Sequence, residues 1–170
     1  MDKIDDLYYQ GYLKKIEPSP LKSKLSLKEA KIWLKEAEET YIHGFKRSTR
    51  ICTFYAFYHA ARAVTLRDGV SEESYHYLID YLETYCEKGI FKKECLDILH
   101  WIFDLHYQDE HHFQCIRSPQ DLEQGIRYCH EFIGNIEVLL EKTGKLPKTI
   151  LKNSLRVQEE DKFEDKVDHY

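Results

Sequence analysis

Apolar residues recur every three or four positions along most of the chain, which is the spacing of one face of an α-helix. No stretch of any length alternates apolar and polar residues as a half-buried strand does. The pattern predicts five helices, from about Leu27 to Gly44, Lys46 to Asp68, residues 72 to 88, Phe91 to Asp109 and Pro119 to Gly144. We therefore expect an all-α bundle of about five helices, preceded by a short helical turn between Asp5 and Tyr12.

Start and stop signals set these boundaries. Ser26 and Glu29 have the spacing of a capping box, which predicts a helix start at about Leu27. Pro18 and Pro20 predict an extended connection before it. Ser71 is a good N-cap for the third helix, and Ser118 followed by proline is one for the last. Glycines close the predicted helices at Gly44, Gly69, Gly89 and Gly144.

The second predicted helix, Lys46 to Asp68, organises the rest of the chain. It holds no glycine or proline, and its only acidic residue is the last one. Large apolar side chains share one side, whereas Ala56, Ala60 and Ala63 lie on the opposite side. A helix that is apolar or small nearly all round is usually central and buried. The alanine face predicts close packing, either within the bundle or across a dimer.

Length and composition favour one domain, residues 1–144, followed by a charged tail at 145–170. The net charge of −5 argues against a strongly basic nucleic-acid coat. Five scattered cysteines without a C-x-x-C pair predict reduced thiols rather than a disulfide framework or zinc knuckle. The polar N-terminus and the lack of a long apolar run predict a cytoplasmic protein with no membrane partner. The tail is either a loose surface segment or an arm that docks on a partner.

Three arginines in the second helix are not explained by burial alone. Arg62 sits within the aromatic stripe, where an unpaired charge is costly. Arg47 and Arg50 lie in the first turns, where the helix dipole disfavours cations. One interpretation is that Arg62 packs its stem on tyrosines and pairs its head with a carboxylate or carbonyl. The other is that all three line a groove and bind phosphates.

The stretch from His106 to His112 is the richest polar cluster in the chain. One interpretation is a solvated helix end. A second is a binding site for a nucleic acid or nucleotide that includes Asp109 and Glu110. A third is catalysis by His106 with His111 or His112, because imidazole titrates near neutrality and can exchange protons with RNA.

Two acid-x-x-His pairs also suggest a metal-dependent bundle enzyme, since di-iron helical bundles use Glu-x-x-His pairs. These pairs are Glu73 with His76 and Asp109 with His112. Such a site needs a carboxylate from each of two further helices, and the second helix offers no inward-facing acid. We therefore expect no metal site and no cofactor.

The run Phe54 to Ala63, FYAFYHAARA, resembles the aromatic–Ala–aromatic–His–Ala–Ala run of prokaryotic HEPN domains (higher eukaryotes and prokaryotes nucleotide-binding). Residues 11–19, GYLKKIEPS, are similar to the lead-in of one prokaryotic branch that occurs in toxin–antitoxin pairs. Residues 30–39 are similar to the helix that follows it. The resemblance covers roughly residues 7–142.

This resemblance implies an antiparallel helical bundle that dimerises and acts near RNA or nucleotides, often beside a minimal nucleotidyltransferase. Active members of the family cut RNA without metal, using an R-x(4–6)-H motif from each subunit. Here no arginine is followed by a histidine at that distance, and His130 lies too close to Arg127. His106 stands roughly where the resembled branch has an arginine.

We therefore expect a homodimeric HEPN-like interaction domain that is weakly catalytic or non-catalytic. Its expected partners are a nucleotidyltransferase-type protein, RNA or a nucleotide. The alternative functions are a metal-independent endoribonuclease that uses the His106–His112 cluster and a metal-dependent helical-bundle enzyme.

Overall fold

A computed structural model of the chain describes residues 3–112 and 118–144. The helices of this part are α1 (Lys3–Tyr9), α2 (Pro20–Ile42), α3 (Lys46–Asp68), α4 (His76–Glu87), α5 (Lys93–His112) and α6 (Pro119–Gly144). Two short strands, β1 (Leu13–Lys15) and β2 (Val70–Glu72), form the only sheet of the described residues. The all-α helical bundle is confirmed, and the predicted tail at 145–170 lies outside the described residues.

The chain divides into two compact units after Leu139. All the contacts and cavities described below belong to the first unit. Of the second unit, only residues 140–144 at the end of α6 are described. None of the described helices is both long and apolar enough to cross a bilayer.

α2 and α3 form an antiparallel hairpin whose two backbones lie close together. The hydroxyl of Ser23 donates to the Ala63 carbonyl at 2.6 Å, and that of Ser26 donates to the His59 carbonyl at 2.8 Å. Ala56, Ala60 and Ala63 are completely buried inside this one chain. The alanine face therefore serves packing within the bundle, the first of the two predicted roles.

The predicted start of the first long helix is wrong. α2 begins at Pro20, where Ser19 is the N-cap and its side chain accepts a hydrogen bond from the Lys22 amide. Proline suits the first helical position because it lacks an amide hydrogen that would be unpaired there. Ser26 is instead a buried residue of the helix interior, facing α3.

The predicted helix at 72–88 is too long at its start. Val70–Glu72 forms β2, which pairs antiparallel with β1 so that Ser71 lies opposite Lys14. Ser71 is therefore not an N-cap, and α4 begins only at His76. Gly69 closes α3 with a φ of +77°, as its predicted role as a stop signal requires.

The fourth predicted helix is too short at its end, because α5 continues through the polar cluster to His112. Asp109 faces α3, where it pairs with Arg50, and Glu110 pairs with His106 one turn earlier on α5 itself. The break in the apolar pattern therefore marks a polar inward face and not the end of the helix.

α6 packs against α3 in the core. Phe132 packs with its ring 5.0 Å from that of Phe57, and both side chains are fully buried. Gly125 lies near α3 and α5, so that a Cβ atom added there would be 3.6 Å from Thr53 and 3.8 Å from Ile102. The start of α6 thus runs beside the face that α3 and α5 share.

Candidate functional site

A cavity of about 510 Å³ lies between the first half of α3, the second half of α5 and the start of α6. We call it the first cavity. Its apolar walls include Phe54, Ile102 and Leu122, and its aromatic rim includes Tyr55 and Trp101. The charged residues on its lining are Arg47, Arg50, Asp109, Glu110 and Asp121.

An ion pair between α3 and α5 forms one wall of the first cavity. Nη2 of Arg50 lies 2.6 Å from Oδ2 of Asp109, and the two side chains are only 12% and 13% exposed. Oδ1 of Asp109 is buried and accepts no hydrogen bond from any described residue. A buried carboxylate oxygen without a donor is costly, so Asp109 keeps an unsatisfied acceptor beside the first cavity.

His106 lies between the aromatic residues of α3 and the carboxylate of Glu110. Its ring stacks on Phe54 with centroids 3.5 Å apart, and its Nε2 lies 3.2 Å from Oε1 of Glu110. Burial lowers the pKa of His106, although the charge of Glu110 opposes that shift. The ring is therefore neutral near pH 7, and a proton held on Nε2 by Glu110 leaves Nδ1 as an acceptor.

A smaller cavity of about 350 Å³ adjoins the first one, and we call it the second cavity. The two cavities share the side chains of Phe54, Tyr55, His106 and Glu110 as their common wall. The second cavity extends toward the start of α4, where it is lined by Tyr58, Glu72, Glu73, Ser74 and Tyr75.

Most of the residues that the sequence singled out meet at the first cavity. They are Arg47, Arg50, His106, Asp109 and Glu110. Arg47 is exposed, whereas Arg50 is held by Asp109. The interpretation of the polar cluster as a purely solvated helix end fails for His106 and Asp109, which turn toward α3.

Arg62 does not join Arg47 and Arg50. It follows Arg50 by twelve residues, which is about 18 Å along a helix, and it does not line the first cavity. Its Nε lies 3.0 Å from Oε1 of Glu72, and its guanidinium lies 5.7 Å from the ring centroid of Tyr58. Of its two interpretations, the structure therefore supports the tyrosine-packed, carboxylate-paired one.

His111 and His112 lie outside both cavities. Both are exposed, and their rings approach Tyr107 with centroid distances of 4.4 and 6.2 Å. Because α5 is continuous here, five positions along it turn a side chain by about 140°. His106 and His111 therefore face different directions, although their spacing in sequence resembles that of a paired motif.

The two acid-x-x-His pairs do not converge. Glu73 is exposed and pairs with Lys14 at 2.9 Å, while Asp109 pairs with Arg50. Within residues 3–112 and 118–144, no three His, Cys, Asp or Glu side chains lie close enough together to hold a metal ion. The metal-dependent alternative gains no support from this part of the chain.

Sequence reasoning did not identify Trp101, Leu105 or Asp121 as lining residues. The first two fall at i and i+4 on α5, with Asp109 one turn further on, so the helical spacing contained a signal for them. No such signal existed for Asp121, because the packing of α6 beside α3 and α5 depends on contacts distant in sequence.

Comparison with known proteins adds one finding. A family model described as the HEPN domain matches residues 23–149, which is most of the chain. The match includes nearly all of α2 and every later described element. It therefore contains every residue that lines the two cavities, from Arg47 to Gly125. Residues 11–19, which also resemble one branch of this family, lie outside the matched range. No curated protein matches the chain.

Proposed function

The chain belongs to the HEPN domain family, whose helical domains are related to nucleotides and RNA, and on that premise we propose that it binds a nucleotide in the first cavity. The nucleotide is either free or one unit of an RNA strand. The observation that carries this proposal is the meeting of aromatic walls, arginines and a buried unpaired carboxylate oxygen in one cavity.

The size and walls of the first cavity suit a nucleobase. Small-molecule sites usually have volumes of about 300–1,000 Å³ and mainly apolar walls with a few polar groups. Trp101 and Tyr55 are half-buried on the lining, and the ring of Tyr55 is supported by Trp33 at 4.9 Å. Aromatic faces of this kind stack on bases with little regard to sequence.

The polar groups suit the remaining parts of a nucleotide. Arg47 is exposed at the rim, where a guanidinium can bind a phosphate through two hydrogen bonds. Oδ1 of Asp109 can accept a hydrogen bond from a base amino group or a ribose hydroxyl. Nδ1 of neutral His106 is a second acceptor among the lining residues.

The charge balance favours a single nucleotide over a long backbone. Two arginines and three carboxylates line the first cavity, and the cation of Arg50 is already paired. Proteins that follow an RNA backbone present a basic groove that replaces many counterions. This lining lacks such a groove, so we propose recognition of one nucleotide unit.

Binding without efficient cleavage is the form of this function that the geometry favours. Metal-independent cleavage of RNA needs a base, an acid and a stabilised phosphate. His106 is the one histidine among the described residues that lines the first cavity, and His111 and His112 lie outside it. The endoribonuclease alternative therefore lacks the second histidine that it invoked, although carboxylates also line the site.

The partners that we propose are implied by the family resemblance. They are a second copy of this chain and a minimal nucleotidyltransferase. Large apolar side chains at the turn between α2 and α3, Ile42 and Phe45, are 78% and 60% exposed and are available to such contacts.

Tryptophan fluorescence provides a direct test of nucleotide binding. The chain has two tryptophans, so the Trp33→Phe variant leaves Trp101, on the cavity lining, as the only reporter. We expect nucleoside monophosphates to quench its emission in a saturable manner. Arg47→Ala should weaken monophosphates about tenfold and leave the corresponding nucleosides unaffected, because only the phosphate contact is lost.

Arg127→Ala is the matched control, since Arg127 is an exposed arginine of α6 outside both cavities. It should leave the affinity unchanged. Equal weakening by the two variants, or no saturable quenching by any nucleotide, would contradict the proposed function.

A further inference from the structure

We propose that the second cavity binds an organic cation, namely a guanidinium or ammonium group. Such a group is presented either by an arginine or lysine side chain of a partner protein or by a free polyamine. This cation site is different from the nucleotide site and does not depend on nucleotide binding.

The walls of the second cavity are unusually rich in aromatic rings. Phe54, Tyr55, Tyr58 and Tyr75 all line it. Tyr75 meets Phe54 edge to face at 5.1 Å, so the rings are fixed against one another. Cations bind to the faces of such rings, and several rings around one space form the recognition element known for ammonium groups.

Carboxylates are the only charged side chains that line this cavity. They are Glu72, Glu73 and Glu110, and no lysine or arginine accompanies them on the lining. The cations that pair with two of them, Arg62 and Lys14, lie outside the lining. His106 also lines the cavity, and it is neutral near pH 7, so no side chain on the lining itself carries a positive charge at that pH.

The burial and hydrogen bonding of the Glu72 carboxylate are a second observation, separate from the number of carboxylates on the lining. Its side chain is only 3% exposed, yet it lines the second cavity. Oε1 is occupied by Arg62 and by the Tyr58 hydroxyl at 3.2 Å. Oε2 accepts no well-formed hydrogen bond from any described residue. Burial raises the pKa of Glu72, and the nearby hydroxyl of Thr65 opposes that shift, although it donates to the Arg62 carbonyl at 3.0 Å.

A buried carboxylate oxygen without a donor is costly, and a ligand that donates a hydrogen bond to it would remove that cost. A guanidinium or ammonium group satisfies it and also neutralises the remaining charge. The chain's own Arg62 illustrates the chemistry, because it contacts both Glu72 and the face of Tyr58 from outside the cavity. A second cation inside the cavity would make the same two kinds of contact with Oε2 and the facing rings.

Calorimetric titration of the full chain tests this inference. The probe is N-acetyl-arginine methylamide, and its neutral match is N-acetyl-citrulline methylamide, which has nearly the same shape. We expect the arginine derivative to bind at least about tenfold more tightly, because cation–π and carboxylate contacts need the charge. Parallel titrations with N-acetyl-lysine methylamide and spermidine distinguish a protein side chain from a polyamine as the source.

Two variants locate the binding. Glu73→Gln and Tyr58→Leu alter residues that line the second cavity only, and each should weaken the arginine derivative at least about threefold. Glu73 is exposed, so its substitution remains informative if Tyr58→Leu disturbs folding. Asp121→Asn, on the lining of the first cavity only, should leave cation binding unchanged.

Equal binding of the citrulline derivative, absence of saturable binding by every cation, or equal weakening by Asp121→Asn would overturn the inference. The proposed nucleotide site is tested separately, because Arg47→Ala changes the first cavity and Glu73→Gln changes the second. Failure of one therefore does not imply failure of the other.

Discussion

The Arg50–Asp109 ion pair joins α3 to α5 at the first cavity, with both side chains mostly buried. We expect Arg50→Ala to lower the free energy of unfolding by about 3 kcal/mol, because it leaves the Asp109 carboxylate buried without its cation. Urea denaturation of the variant and the unchanged chain measures this difference.

The double variant Arg50→Met/Asp109→Leu is the control for this prediction. Replacing both partners by apolar side chains of similar size removes the pair without leaving a charge, so the double variant should be more stable than Arg50→Ala. If Arg50→Ala alone has the stability of the unchanged chain, the pair does not hold the two helices together.

The buried imidazole of His106 predicts a pH dependence of stability. Burial lowers its pKa below the ordinary value of about 6.5. Below that value the unfolded chain binds a proton that the folded chain does not, so stability should fall as the pH falls toward the folded-state pKa. His59, whose pKa is also lowered by burial, contributes with the same sign.

His106→Phe retains the stack on Phe54 and removes the titrating group. Urea midpoints measured between pH 7.5 and about pH 5.5, the range in which imidazole titrates, should therefore fall less steeply for this variant than for the unchanged chain. The slope that remains includes the contribution of His59. Identical slopes would mean that His106 is as accessible to protons when folded as when unfolded.

For single residues, the sequence predicted which side chains lie at the site better than it predicted which side chains pair with one another. Arg47 and Arg50 were singled out because cations are unfavourable in the first turns of a helix. His106, Asp109 and Glu110 were singled out as members of the polar cluster, and all five residues line the first cavity. The partner of Arg62, Glu72, was not predicted, because it lies in a short strand that the sequence did not reveal. His111 was paired with His106 because of its imidazole and its spacing in sequence, but the continuous helix α5 turns the two side chains apart.

At the scale of elements, the junction between α3 and β2 fixes the segment that precedes α2. Gly69 has a φ of +77°, and a Cβ atom added there would be 2.6 Å from the Ile16 carbonyl oxygen and 2.7 Å from Cγ of Pro18. The amide of Ile16 also donates to the Gly69 carbonyl at 2.8 Å. No side chain fits at this position without moving the backbone.

We expect Gly69→Ala to lower the free energy of unfolding by about 3 kcal/mol, from the left-handed conformation and the steric overlap together. Gly89→Ala is the matched control, because Gly89 has a φ of +68° but nothing within 4 Å of an added Cβ atom. It should cost about 1 kcal/mol. Equal losses would show that the close approach of Ile16 and Pro18 does not matter.

Helix boundaries were predictable where one strong signal stood alone. α3 and α6 begin and end where the sequence indicated. At α2 two serine signals competed, and the Ser-Pro signal at Ser19 prevailed over the capping-box spacing at Ser26. The short sheet was not predictable, because each of its strands has three residues and depends on the other for its hydrogen bonds.

At the scale of the whole molecule, two adjacent cavities with different charge lie on one side of α3. The first contains both arginines and carboxylates, and the second contains carboxylates alone. Their common wall includes His106 and Glu110, so a nucleotide in one and a cation in the other would be neighbours. The sequence indicated neither cavity as a shape, because each depends on how three separate elements pack.

This arrangement predicts that the purified chain leaves RNA intact. A mixed RNA pool incubated with the protein, with and without EDTA, should show the same pattern on a denaturing gel as RNA alone, because His106 is the one described histidine on the lining and Arg50 is held by Asp109. Cleavage that survives EDTA and disappears in His106→Ala would instead establish the endoribonuclease alternative.

The most direct test of the nucleotide site is a ¹H–¹⁵N correlation spectrum of the full chain, recorded while a nucleoside monophosphate is added. We predict that the amide shifts concentrate on the first half of α3, the second half of α5 and the start of α6, which together enclose the first cavity. Shifts confined to the outer face of α2, or a spectrum that does not change, would contradict the account.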